Sequence, residues 1–400
     1  MRPVEIKEGI HWVGAVDWNC RNFHGYALSS KGTTYNAFYI DDDKKVLVDT
    51  VPAAFESQFL CSVSNLTELE KIDYIVVNHL EPDHSGCLAR MVELCKPEKI
   101  FISPMGAKAL KTFFDCEDWP IVVANSGDEI SLGKKTLRFY ETKMLHWPDN
   151  MFTFIPEAKM LISSDAFGQN WATSERFVDE VSKEKVSDLM AQYYANIVNP
   201  YSSKVLKTLE FFGELNLDID MLCPDHGLMF RGEDVGFALG KYAEYAAQKT
   251  TNKAVIFYDT MWKSTENMAI AIASGIADEG VSVRLMNVKA NHHSDVMSEV
   301  FDAGAVIIGS PTHNNGILPG MADVLTYVKG LRPQNKIGAC FGSFGWSGEC
   351  VKILKDWLEK MNMDIIEPNI KVKNRPNHKS FEECYELGRE IAKAVKAKNA

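Results

Sequence analysis

Two α/β domains in series are what this sequence predicts: an αβ/βα sandwich of mixed strands over residues 1–250, then a doubly wound parallel sheet over residues 251–400. Three observations carry the prediction. The chain has 400 residues, enough for two separate cores. Its first part mixes short strands and helices without a repeating unit, whereas the part after residue 250 alternates strand and helix at near-regular length. A polar run, TTNK, follows a helical segment that ends near 248 and separates the two patterns.

The N-terminus, MRPVEIKEGIHWVGAV, alternates as a strand does. TTYNAFYIDDDKKVLVDT (33–50) reads as two strands around an acidic turn. IDYIVV (72–77), KIFIS (99–103), TLRFYET (136–142), KMLISS (159–164) and IDMLC (219–223) are further strands, with helices expected near 85–95, 105–114 and 184–213. In the second domain the strands are AVIFYD (254–259), VSVRLMNV (281–288), AVIIGS (305–310), KIGACFGS (336–343) and a weaker DIIEPNIKV (364–372). A helix follows each, the last over FEECYELGREIAKAVKAK. Alternating βα units imply a parallel sheet covered on both faces.

Net charge is −11. Residues 253–400 hold 18 Lys+Arg against 17 Asp+Glu, which leaves 25 against 37 in the first 252. Phosphate backbones need concentrated positive charge, so nucleic acid is excluded as the main ligand. No apolar run approaches the ~20 residues of a membrane span, and the N-terminus has no signal-peptide core, which points to the cytoplasm. Nine cysteines with no CxxC pair exclude a zinc ribbon, a rubredoxin-type centre and c-type haem attachment; most should be small buried hydrophobes.

The first chemistry lies in NHLEPDHSG (78–86), just after the strand IDYIVV. His79, Glu81, Asp83 and His84 crowd one loop, and alternation along extended chain would let the first three converge. Three more candidates end predicted strands: His146 in MLHWPDN, Asp165 in SSDAFG and His226 in CPDHG. Ionisable residues in that number at strand ends point to a metal site. The pattern resembles the HxHxDH of metallo-β-lactamase hydrolases, with Glu81 where they carry a second histidine. His79, Glu81 and His146 then serve one metal and Asp83, His84 and His226 the other, with Asp165 bridging. Mixed imidazole and carboxylate ligation suits iron, whose ferric state the added negative charge stabilises, whereas zinc gains nothing from it. Asp49 and Asp225 are candidate orienting carboxylates. His24 and the tyrosines of QYYANIVNPY are candidate pocket residues.

The second chemistry lies at the ends of three strands of the parallel sheet. Asp259, Thr260, Met261, Trp262, Lys263, Ser264 and Thr265 form a hydroxyl-rich turn opening a helix at ENMAIAI, a phosphate site by virtue of the helix N-terminus. Pro311, Thr312, His313, Asn314, Asn315 and Gly316 follow the third strand, and Ser343, Phe344, Gly345, Trp346, Ser347 and Gly348 the fourth. Polar, Gly-rich loops at the switch point of a flavodoxin-like sheet, with Trp346 to lie against a flat ring, point to FMN.

With HLEPDH, MLHWPDN, SSDAFGQN, CPDHG, FYDTMWKST, GSPTHNNG and GSFGWSGE together, the chain resembles the flavodiiron proteins end to end, above all the rubredoxin:oxygen oxidoreductases among them. The resemblance implies reduction of O2 to water, or of NO to N2O, at a non-haem site of two irons fed by FMN. It also implies rubredoxin as separate electron donor and a head-to-tail homodimer. Two rival readings are a dizinc hydrolase with a fused flavodoxin-like domain, which Glu81 argues against, and a flavin carrier with a vestigial metal site, which a complete ligand set argues against.

Overall fold

A computed structural model of the chain describes residues 2–400 and divides them into two compact units. The first comprises residues up to Phe23, Ser29–Tyr194 and Tyr201–Ala246; the second comprises His24–Leu28, Ala195–Pro200 and Ala247–Ala400. The main crossing therefore falls between Ala246 and Ala247, and two short segments of the N-terminal half belong to the second unit.

The first unit is built on two sheets. One has seven strands in the order Val4–Lys7, Ile10–Trp12, Phe38–Ile40, Val46–Val48, Tyr74–Val77, Lys99–Ile102, Ile121–Val123, antiparallel up to Val46–Val48 and parallel beyond. The other has six: Glu129–Ser131, Thr136–Glu141, Met151–Ile155, Met160–Ile162, Met221–Cys223 and Phe230–Arg231. Trp12, Phe38, Val48, Val76 and Phe101 of the first sheet share one core with Leu137, Phe139, Met151, Ile162 and Met221 of the second. This is the predicted αβ sandwich, each sheet burying one face against the other.

The second unit is a parallel sheet in the order Ser282–Asn287, Thr251–Tyr258, Ala303–Gly309, Ile337–Phe344, then Asp364–Ile365 and Ile370–Lys373, both paired to Ile337–Phe344. Numbered along the chain this is 2-1-3-4-5, the flavodoxin-like order with its switch point between the first and third strands. The period of two along Thr251–Tyr258 divides the core. Ala254, Ile256 and Tyr258 pack with helices Ser264–Asp278 and His378–Lys398, while Val255 and Phe257 face helices His293–Phe301, Pro319–Gly330 and Cys350–Lys360.

Three expectations are corrected. The helix expected near 184–213 is two helices, Lys183–Tyr193 and Ser202–Leu215, joined by a π-helical turn at Tyr194–Val198 and a 3-10 turn at Asn199–Tyr201. Pro200 has no N–H to continue the ladder there. The helix read as opening at ENMAIAI starts two residues earlier, at Ser264. The weak fifth strand is split, its middle residues leaving the sheet at Ile366–Asn369. Seven of the nine cysteines are buried and all are free thiols.

Candidate metal centre and flavin site

Each metal-site candidate leaves a strand end of the sandwich. Asn78 follows Tyr74–Val77 and is clamped: Asp49 accepts from its backbone N at 2.7 Å and its side-chain amide at 2.9 Å, and Thr153 donates to its Oδ1 at 2.7 Å. Asp49 thus fixes the backbone entering the site and not an imidazole, as the sequence had suggested. His79 and Glu81 follow the strand Tyr74–Val77 and precede a short helix, Pro82–Ser85, that Pro82 opens and that holds Asp83 and His84. The helical turn, not strand alternation, swings Asp83 and His84 toward a different partner set from His79 and Glu81.

Two groups result. His79, Glu81, His146 and Asp165 converge with ligand atoms within 4.8 Å of one another, and so do Asp83, His84 and His226. Asp165 stands between them. Its Oδ2 is 2.9 Å from His146 Nε2 and 3.5 Å from His79 Nε2, while its Oδ1 is 3.1 Å from Nε2 of both His84 and His226. Glu81 Oε2 lies 3.1 Å from His79 Nε2 and 3.4 Å from His146 Nε2; Asp83 Oδ2 lies 3.3 Å from His226 Nε2. All four histidines turn Nε2 inward.

What holds them so is the partner on Nδ1. His226 donates Nδ1–H to the Thr34 carbonyl at 2.7 Å, and His79 Nδ1 meets Asp149 Oδ2 at 3.3 Å, the same oxygen that accepts from the Leu80 amide at 2.7 Å. Asp149 was not singled out in the sequence, although it stands three residues from His146. The other proposed orienting carboxylate, Asp225, reaches only 3.8 Å from His84 Nδ1, and neither of its oxygens has a hydrogen bond. Gly227 permits the turn after His226: its φ is +81°, and a Cβ there would collide with Gln169.

The charges strain against one another. Burial would pull the His84 imidazole down, but the carboxylates of Asp83, Asp165 and Asp225 outweigh it and push it up to about 9. His79, His146 and His226 are raised in the same way. Burial works against ionising Asp165, yet His84, His146 and His226 hold it well below the usual carboxylate range. Burial pushes Asp225 up to about 6. The residues fit a pair of cations: Asp165 Oδ1 is buried with no hydrogen-bond partner among the described residues, and the Nε2 atoms of His84 and His226 face each other at 3.1 Å. Three aromatic rings pack against the ligand imidazoles: Phe23 5.0 Å and Tyr193 5.9 Å from His226, and Trp147 5.1 Å from His79. Of the other pocket candidates, Tyr194 turns to Ser202 Oγ at 2.9 Å and Tyr201 lies 6.4 Å from His146. His24 is exposed and belongs to the second unit.

The second unit carries a cavity of about 590 Å³ at the carboxyl ends of its first, third and fourth strands. Thr260, Met261, Trp262, Ser264, Pro311, Thr312, His313, Asn314, Ser343, Phe344, Gly345 and Trp346 line it, together with Asn374 and Arg375, which the sequence did not reveal. Asn315 and Ser347 border a smaller adjoining hollow. The remaining candidates do not line the cavity. Asp259 is buried and bonded to Lys289 and to the Thr260 amide, and Thr265 bonds Ser343 at 3.0 Å, so both brace the loops. Lys263 supplies the left-handed residue (φ 66°) before helix Ser264–Asp278, and Gly316 and Gly348 serve the loops' turns. Trp346 is 92% exposed and Trp262 86%, flat surfaces that a planar ring would cover. Thr260 Oγ1 is buried with no hydrogen-bond partner among the described residues, near the N-terminus of that helix, which suits a phosphate oxygen.

Comparison with known proteins bears on both halves. Residues 33–227 match the family model described as ODP family beta lactamase, and residues 256–388 match Flavodoxin. Fold and site together define a two-domain metalloflavoprotein: a lactamase-like metal domain followed by a flavodoxin domain. The chain is 53% identical over 100% of both lengths to the rubredoxin-oxygen oxidoreductase of Megalodesulfovibrio gigas, and matches the solved structure of rubredoxin oxygen:oxidoreductase from Desulfovibrio gigas with a TM-score of 0.98. It is 43% identical to a nitric oxide reductase of Moorella thermoacetica, over 98% of this chain and 99% of that one. The flavodiiron protein from Giardia intestinalis, 31% identical, covers 100% of the chain with a TM-score of 0.95. The protein belongs to the flavodiiron family.

Proposed function

We propose that the protein is a rubredoxin-dependent oxygen reductase, with a diiron domain up to about residue 250 and an FMN domain after it. The observation that carries this is the division of Asp165, one oxygen toward each group of ligands, beside a Glu81 that adds negative charge where a hydrolase has imidazole. His79, Glu81 and His146 would hold one iron, Asp83, His84 and His226 the other, and Asp165 both. When bound, the two irons and the flavin supply the four electrons that reduction of O2 to two waters consumes. The chain's own part is to orient and to enclose. Asp149 and the Thr34 carbonyl keep two histidines in the tautomer that leaves Nε2 free. Phe23, Tyr193 and Trp147 keep bulk water away. Burial holds the Tyr193 phenol far above its ordinary pKa, so its hydroxyl keeps a proton beside His226. Ser264 and the amides opening its helix would take the FMN phosphate, leaving the ring to Trp346 and the 310–316 loop.

A second reading, reduction of two NO to N2O with two electrons, is favoured by the likeness to the Moorella enzyme and uses the same residues. The reading also includes a head-to-tail homodimer, implied by the family resemblance, and a place in the cytoplasm, drawn from the sequence pattern; among the described residues no helix is long and apolar enough to cross a membrane. Iron, zinc and flavin are measured first on one purified sample. Two irons and one FMN per chain are expected, with O2 consumption driven by reduced rubredoxin and N2O formation tested in parallel. Zinc in their place after expression with ample iron would overturn the redox reading in favour of a hydrolase.

A further inference from the structure

In a chain of net charge −11, residues 368–381 contain no acid and four strong bases: Lys371, Lys373, Arg375 and Lys379. All four are exposed. Lys371 and Lys373 alternate with buried Ile370 and Val372, so both project from the same face of the strand Ile370–Lys373. Only Lys379 has an ion-pair partner among the described residues, Glu383 at 3.8 Å along its own helix. Strand alternation explains why these positions are exposed, but not why all are cationic.

The strip borders the flavin cavity. Lys373 pairs in register with Phe344, and Lys371 Nζ stands 5.4 Å from the Phe344 ring, a wall of the cavity that Arg375 also lines. Trp346 and Trp262 line the same cavity, so the flavin ring they would hold lies at the centre of this surface. Glu349, the acid of the neighbouring loop, is engaged by the Gly348 amide at 2.9 Å. The result is an aromatic centre with a cationic rim, the anatomy of an interface.

We propose that this strip is the docking surface for an acidic electron-carrier protein, held over the flavin mouth by charge while its electron passes to FMN. The proposal rests on the rubredoxin-dependent reading and assigns it a surface. Charge complementarity of this kind acts mainly on the rate of encounter and is screened by salt. The carrier gives up one electron per visit and FMN takes two, so two successive carriers bind the strip for each flavin reduced. A strip that clears and refills suits weak, rim-type contacts better than a buried apolar seal.

The test is stopped-flow reduction of FMN in the iron-loaded full-length protein by reduced rubredoxin, from low to high ionic strength. The variant is Lys371→Glu combined with Lys373→Glu, neither of which lines the cavity. We expect its second-order rate at low salt to fall at least tenfold and its salt dependence to flatten, with FMN content and O2 consumption after photochemical reduction unchanged. A variant that keeps the wild-type rate and salt slope overturns the proposal. So does one that changes oligomeric state by sedimentation, which would give the strip to the acidic first half of a second copy. If photoreduced wild-type protein consumes no O2, the oxygen-reductase reading fails while the docking result is still read from flavin reduction.

Discussion

A single ring nitrogen decides whether a histidine can ligate, and here the deciding residues stand behind the imidazoles. Asp149 accepts from His79 Nδ1 and the Leu80 amide at once, which fixes both the tautomer and the backbone of the ligand loop. Asp149→Ala leaves His79 free to turn and the Leu80 N–H unsatisfied. Iron affinity is expected to fall ~10–100-fold, as for other carboxylates behind metal histidines, with FMN content unchanged. Chelator competition reads this directly, and unaltered iron retention would remove Asp149 from the site. The seven converging residues were legible because each is a ligand type at a strand end. Asp149 was not, since an Asp after Pro is ordinary turn chemistry. Its role depends on how 142–150 folds back, with Met151 N bonded to Asn78 O at 3.0 Å and Ser103 Oγ to Asp149 O at 2.7 Å, and no local pattern encodes that.

Elements position the flavin site through helix Ser264–Asp278, whose N-terminal Ser264 lines the cavity and, in the proposed reading, would take the phosphate. Its opposite flank packs against helix His378–Lys398 through a glycine on each side. A Cβ on Gly275 would collide with the Tyr385 carbonyl, and one on Gly388 with the Ile272 carbonyl. Gly388→Ala therefore has to push the two helices apart. The expected cost is ~1–3 kcal/mol, seen as a lower unfolding temperature, with a lower FMN content and iron unaffected. Wild-type stability and full flavin loading would mean that the helices yield without moving the phosphate end. The parallel strands were readable because those buried on both faces are unbroken apolar runs. Short strands such as Met151–Ile155 and Ile121–Val123 escaped because three to five residues give too little periodicity to stand out from a loop. Asn374 and Arg375 escaped for a related reason: they follow the split strand, whose place beside Ile337–Phe344 depends on pairing distant in sequence.

On the scale of the whole molecule, each cofactor site is built on its own core, so loading one should not require the other. Asp165→Ala removes the carboxylate shared by both ligand groups and leaves the second unit untouched. The variant is expected to bind one FMN per chain, to accept electrons from rubredoxin, and to lose O2 reduction; consumption of O2 at the native rate would overturn the diiron assignment. The proton balance of the metal site gives a second test on the whole chain. In the iron-free protein His84 is raised from 6.5 to about 9, with His79, His146 and His226 shifted in the same direction. A folded state that binds protons more tightly than the unfolded one is stabilised below the unfolded pKa and loses that advantage as pH rises through the folded value. The iron-free protein should therefore lose stability from about pH 6.5 to 9. Lys336 acts oppositely. Burial drops its amine from 10.5 to about 7, so folding is favoured increasingly as pH climbs above that value. Because Lys336 is present in both forms, the informative quantity is the difference between them. Iron takes the place of the histidine protons, so loaded protein has nothing to lose there. The gap in unfolding temperature between iron-loaded and iron-free protein is expected to widen from pH 6.5 to 9; a constant gap would mean that the imidazoles are already neutral without metal.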